Sequence, residues 1–187
     1  GEVGAYSPDR AKQKLYEAGW TLDGGVRKKD GTPLEVKCVI PTGITTSKQE
    51  AELIQNMLAQ IGVKMSIIVV PISDFFDKYI TPGQFDVTVF AWMGTPYPMS
   101  SAKSLYAAPT RNAAGGLDIR QNYARVGSDE IDRLFDQASQ ELDRTKAVAL
   151  ANQLDALVWK EVHSLTQYQR PELTVCKKNL VNFGAFG

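Results

Sequence analysis

Apolar and polar positions alternate in three stretches of this chain, and helical spacing fills the gaps between them. Leu34, Val36, Cys38 and Ile40 share one face of a period-two pattern, which predicts a strand over 34–40. Lys64 to Val70 predicts a second strand, stopped by Pro71. Phe85, Val87, Val89 and Ala91 alternate with Asp86, Thr88, Phe90 and Trp92 and predict a third. From Val87 to Ala91 both faces are largely apolar or β-branched, the pattern of a strand covered on both sides in the middle of a parallel sheet. Between the first two strands, Ile54, Met57, Leu58 and Ile61 recur at i, i+3, i+4, i+7 with Ala51 in line. They predict a helix of about fourteen residues, opened by Ser47 and Glu50 as a capping box and closed by Gly62. Between the second and third, Ser73 caps a short predicted helix bearing Phe75, Phe76, Tyr79 and Ile80. The order β-α-β-α-β with right-handed crossovers predicts a parallel three-layer α/β unit, its first strand between the other two.

The flanks carry their own signals. Ser7-Pro8-Asp9 reads as a helix start, and the helix runs to Ala18 before Gly19. Turn signals on either side of Val26-Arg27 predict a small hairpin. Downstream, Ser100 to Tyr106 predicts a short helix and Thr110 to Gly116 a polar loop. Ser128 caps a helix with Ile131, Leu134, Phe135 and Ala138 on one face, and Asp143 starts another with a wide apolar stripe from Ala147 to Val158. These two helices predict an antiparallel hairpin laid against a sheet face. Val162 to Gln169 and Leu173 to Cys176 predict two further short strands.

Composition changes this picture by exclusion. Lys+Arg and Asp+Glu stand at 21 each in 187 residues, so no concentrated positive field is available for nucleic acid. No apolar run approaches the roughly 20 residues that cross a bilayer as a helix. Cys38 and Cys176 lie far apart, with no CxxC redox or zinc pattern; buried free thiols are the default, and a disulfide between them stays open in an oxidising compartment. His163 is the single histidine, which excludes sites built on two His ligands, and it reads as a structural histidine in a connecting stretch. No GxSxG, P-loop or GxGxxG occurs. Asp74/Asp77 and Asp129/Asp132 sit at helical spacing as complements to helix dipoles. Neither a catalytic set, a metal site nor a cofactor motif emerges.

Binding is what remains. Strands of an open α/β sheet deliver their ligand-contacting loops at the carboxyl edge. Three loops are expected to meet there: Thr42 to Thr46, Trp92 to Pro98, and Asn122-Tyr123. The candidate ligand contacts are Thr42, Gly43, Trp92, Met93, Gly94, Thr95, Tyr97, Asn122 and Tyr123. They offer hydroxyls, backbone groups and aromatic faces with little charge, which suits a neutral or amphipathic small ligand.

Five segments in order carry a resemblance: YSPDRAKQKLYEAGW, DGTPLEVKCVIPTG, QEAELIQNMLAQIGVKMSIIVV, FDVTVFAWMGTPYP, and the run from NYARVGSDEIDRLFDQASQELD to CKKNLVNF. Together they resemble the carboxy-terminal lobe of the family 5 extracellular solute-binding proteins, the dipeptide, oligopeptide and nickel receptors of ABC importers. The resemblance implies one type II periplasmic-binding-protein-like lobe over 1–187, three-layer α/β/α with a mostly parallel central sheet. Residues 1–5 and 184–187 are then expected to be the cut edges of a longer two-lobed chain. It implies a small-molecule or peptide solute, a membrane permease as partner, an extracytoplasmic location, and a membrane link only through a lipid anchor outside this chain. The peptide receptors of the family carry an aspartate three residues after the tryptophan that Trp92 matches; here that position is Thr95, and Met93 to Ser101 holds no acid. A neutral hydroxyl cannot supply the charge-assisted bond that holds an ammonium. The resemblance therefore implies a solute without that anchored amine, such as a glycoside or blocked peptide. The alternative is a cell-envelope lipoprotein of the same fold that acts through protein–protein contacts.

Overall fold

The computed structural model of the chain describes residues 4–95, 97–170 and 175–180. The chain divides into two compact units, Gly1–Trp92 and Met93–Gly187.

The first unit opens with α1 (Pro8–Glu17), whose N-cap Ser7 side chain accepts from the Arg10 amide. A three-stranded antiparallel sheet follows, β1 (Thr21–Asp23), β2 (Val26–Lys29) and β3 (Thr32–Pro33), one strand more than the hairpin expected. The central sheet is β4 (Glu35–Pro41), β5 (Lys64–Val70) and β6 (Val87–Thr88), all parallel, in the order β5-β4-β6. The first strand lies in the middle, as the crossover rule predicts.

Layering follows from the alternation along β4. Cys38 and Ile40 point to one face, where they meet Met65, Val89 and Ala51 of α2 (Thr45–Gln60). Val39 points the other way and is equally buried. On that face the chain runs from α3 (Ile72–Asp74) into a π-helical segment, Phe75–Ile80, which buries Phe75 and Ile80. The first unit is thus a helix, a sheet and a helical segment stacked in three layers.

Three expectations need correction here. The central strand, buried over 38–41, is β4 and not the Phe85 stretch: β6 pairs over only Val87 and Thr88 and lies at the sheet edge among the described residues. Its faces are still covered, because Val89 joins the α2 side while Phe90 meets Phe75 and Phe76. Ser47 does not cap α2. Gly43, at φ +81°, turns the chain so sharply after β4 that the helix begins at Thr45. Ser47 and Glu50 then fall inside the first turns, buried, and N-cap Ile44 supplies no side-chain bond. Ser73 likewise lies inside α3, whose N-cap is Pro71.

The second unit is mainly helical. α4 (Pro98–Tyr106), α5 (Asp129–Gln140) and α6 (Arg144–Lys160) bury Ile131, Leu134, Phe135, Ala138 and Leu154 between them. Ser128 and Asp143 cap α5 and α6 as predicted. The apolar face of α5 is covered by Met99, Ala102 and Tyr106 of α4 and by Leu150, Leu154 and Leu157 of α6. The stretch expected as a polar loop closes into a small hairpin, β7 (Thr110–Arg111) with β8 (Leu117–Asp118). Residues 162–169 form no strand. The strand expected at Leu173–Cys176 lies partly outside the described residues, and Val175-Cys176 carries no strand.

Candidate functional site

The register of the parallel sheet brings two of the predicted loops to one edge. Cys38 pairs with Val87 and Val39 with Thr88, so Thr42-Gly43 and Trp92 both leave the carboxyl edge of adjacent strands. Asp86 fixes this register: its carboxylate accepts from the Lys37 amide at 2.8 Å, and Thr88 Oγ1 donates to the Val39 carbonyl at 2.8 Å. The Thr42 amide donates to the Val70 carbonyl at 2.8 Å, so the turn is anchored on its other side too.

Aromatic rings climb from the core to this edge. Phe75 meets Phe76 and Phe90 edge-on, Phe76 meets Phe90 at 5.4 Å, and Phe90 meets Trp92 at 5.3 Å and 71°. Edge-to-face contacts of this kind add to area burial. The ladder holds Trp92 at a fixed place while leaving it 46% exposed. Trp92 is therefore a supported surface aromatic and not a core residue. Neither Gly43 nor Gly94 has a neighbour within 4 Å of where a Cβ would stand, so Gly43 serves its positive φ and Gly94 leaves open space.

Met93, Gly94, Thr95 and Tyr97 belong to the second unit, as do Asn122 and Tyr123. Met93 and Tyr97 are largely exposed. Thr95 Oγ1 donates to Ser101 Oγ at 2.9 Å and accepts from the Tyr97 amide at 3.3 Å, so the hydroxyl is engaged with the start of α4.

Asn122 is a correction. Its side chain is fully buried and spent on structure. Nδ2 donates to the Ala107 carbonyl at 2.9 Å and to the Val126 carbonyl at 2.7 Å, while Oδ1 sits 2.8 Å from His163 Nε2. It joins three chain segments and cannot face a solute. His163, expected in a connecting stretch with no tie to the loops, is its partner; its ring also lies 4.8 Å from that of Tyr106. Burial holds the imidazole below its ordinary value, with the Leu105 backbone opposing in part. Tyr123 is half-buried, with its carbonyl accepting from Arg125.

Both cysteines are free thiols, so the disulfide left open by the sequence is not formed. Cys38 lies in the α2-facing core, where burial pushes its thiol up to about 11, and Cys176 is exposed. Among the described residues no group of three or more His, Cys, Asp or Glu is placed to hold a metal, and no helix is long and apolar enough to cross a membrane.

The sequence reading missed a cavity of about 180 Å³ in the second unit, lined by α4, α5 and α6. The signal that marks it is Asp155, a carboxylate four residues after Ala151 on an otherwise apolar helix face.

A family model for the bacterial extracellular solute-binding proteins, family 5 Middle, matches residues 1–114. The oligopeptide-binding protein OppA of Mycobacterium tuberculosis (strain ATCC 25618 / H37Rv) is 38% identical over 185 residues, 99% of this chain and 30% of that protein. The nickel-binding periplasmic protein of Escherichia coli (strain K12) is 29% identical over 147 residues, 78% of this chain and 27% of its own length. Among solved structures, the oligopeptide-binding protein AppA from Bacillus subtilis, in complex with a nonapeptide, superposes with a TM-score of 0.72 at 22% identity, over 84% of this chain and 30% of that one. NikA from Brucella suis, in complex with Fe(III)-EDTA, gives 0.67 at 26% identity, over 84% and 31%. The chain thus spans about 30% of the length of these relatives.

Proposed function

We propose that this chain, which belongs to the bacterial extracellular solute-binding proteins, family 5, forms one wall of the solute cleft in the receptor of an ABC-type importer. The observation that carries the reading is Trp92: a surface aromatic braced by Phe90 at the carboxyl edge of a parallel sheet. Such an anchor gives a ligand a rigid apolar face at low entropic cost. Thr42 and Gly43 supply a hydroxyl and open backbone beside it, and Met93, Gly94, Thr95 and Tyr97 follow in the chain. The role is binding and hand-over to a membrane permease outside the cytoplasm, without catalysis. Relatives described as oligopeptide-binding and nickel-binding support a solute receptor in general terms.

The finer reading concerns charge. Met93 to Ser101 carries no acid, and the Thr95 hydroxyl is a neutral group already bonded to Ser101. The solute of this wall is amphipathic or peptide-like and does not need an ammonium held by an aspartate at this position. Titration of the full-length protein with a tripeptide and with its N-acetylated counterpart tests this. The two are expected to bind within about threefold of each other, and Trp92→Ala to weaken both by about tenfold. Binding of the free-amine peptide alone contradicts the charge argument, and an unchanged affinity in Trp92→Ala contradicts the wall.

A further inference from the structure

The cavity of the second unit is walled on one side by the aromatic rings of Tyr106 and Phe135 and on the other by a single face of α6, with the hydroxyls of Ser164 and Thr166 completing its lining beyond that helix. On that face Ala151, Leu154, Asp155, Val158 and Trp159 line it. Their spacing, i, i+3, i+4, i+7, i+8, is one helical stripe. Four of the five positions are apolar, as packing demands. The fifth, Asp155, is a carboxylate on the exposed edge of the stripe, at the mouth of the cavity.

Among the described residues nothing neutralises that charge: no lysine or arginine lines the cavity, and Asp155 has no ion pair or hydrogen bond. Asp155 is exposed at the rim, so water solvates it while the apolar part of the cavity lies beside it. Trp159, one turn further along, brings an indole to the same cavity.

We propose that this cavity binds a small organic ammonium ion, its apolar body among Tyr106, Phe135 and Trp159 and its cation on the Asp155 carboxylate. Size fits: an apolar cavity of roughly 150 Å³ holds benzene, so about 180 Å³ accepts a phenyl-sized body. Charge fits: a carboxylate accepts charge-assisted bonds from an ammonium, and an aromatic face near it attracts the same cation. An anion is repelled by Asp155, and a neutral hydroxyl bonds to it without the Coulombic attraction that an ammonium adds. The site lies wholly within the second unit and goes beyond the solute wall, which it shares no residue with.

Calorimetric titration of the full-length protein with phenethylamine and with 2-phenylethanol, its neutral counterpart, tests this. Phenethylamine is expected to saturate and to bind about tenfold more tightly than the alcohol, the worth of one charge-assisted bond. Asp155→Asn, which keeps the shape of an exposed side chain, is expected to remove that preference, to change the alcohol's affinity by less than about threefold, and to leave the thermal unfolding midpoint unchanged. Equal affinities in the unaltered chain, no saturation by the amine, or a preference that survives Asp155→Asn overturns the proposal.

Discussion

Asn122 and His163 divide a hydrogen-bonding task that neither performs alone. The carboxamide spends both N–H groups on carbonyls of distant segments and offers Oδ1 to the imidazole. The neutral ring donates through Nε2, which leaves Nδ1 buried without a hydrogen bond among the described residues. A second proton would go to Nδ1, in a place where a charge is poorly solvated. The folded chain therefore binds that proton less readily than the unfolded chain does, and the sign follows: stability is full above the ordinary histidine value of 6.5 and falls as pH drops below it toward the lowered value. Thermal unfolding between about pH 7.5 and about pH 5.5 is expected to show this fall, and His163→Gln to flatten it. A slope unchanged in the variant contradicts the assignment. The sequence could not show this pair. Asn122 and His163 are 41 residues apart, and an Asn-Tyr dipeptide after a loop reads equally well as a ligand contact.

Helix ends show what local sequence does and does not settle. α1 and α2 both close with the same pattern, in which the residue after the cap takes a positive φ and two amides bond back to the last turn. Gly19 and Gly62 fill that position, and both ends were legible from the glycine alone. At Gly62 the need is double, since a Cβ would stand 2.7 Å from Leu22 Cδ1. α6 closes in the same way, with the Val162 amide on the Trp159 carbonyl and the His163 amide on that of Val158, yet a valine holds the position at φ 53°. A β-branched residue there is strained. The turn delivers His163 to Tyr106 and Asn122, and those contacts offset the strain. Val162→Gly is expected to raise stability by about 0.5–1 kcal/mol in urea unfolding, less than the full relief because glycine also loosens the unfolded chain. A loss of stability would mean that the exposed valine side chain has a packing role. The failures at element scale have the same root. Ser47 matched a capping box, but Gly43 had already started the helix, and only the tertiary turn decides which residue comes first.

For the molecule as a whole, the sheet order and the α2 layer were readable because period-two and period-3.6 patterns alternate cleanly over residues 34–70. The stretch after Lys160 was not, since its apolar residues fit a strand but find no neighbour to pair with in the described residues. The site divides likewise. Trp92 after the third strand was legible as an edge aromatic, whereas Asp155, an exposed acid beside an apolar stripe, reads as an ordinary solvated residue. A wall for an amphipathic solute that presents no anchored ammonium rests on Trp92 and on the acid-free loop that follows it. Native mass spectrometry of the full-length protein, purified from its own source, tests this claim most directly. The solute lost on Trp92→Ala is expected to carry no free primary amine, as in a glycoside or a blocked peptide, whereas a small amine lost on Asp155→Asn belongs to the cavity of the second unit. A peptide with a free amino terminus contradicts the neutral wall, and a cleft that stays empty and unresponsive to ligand pools contradicts the receptor itself.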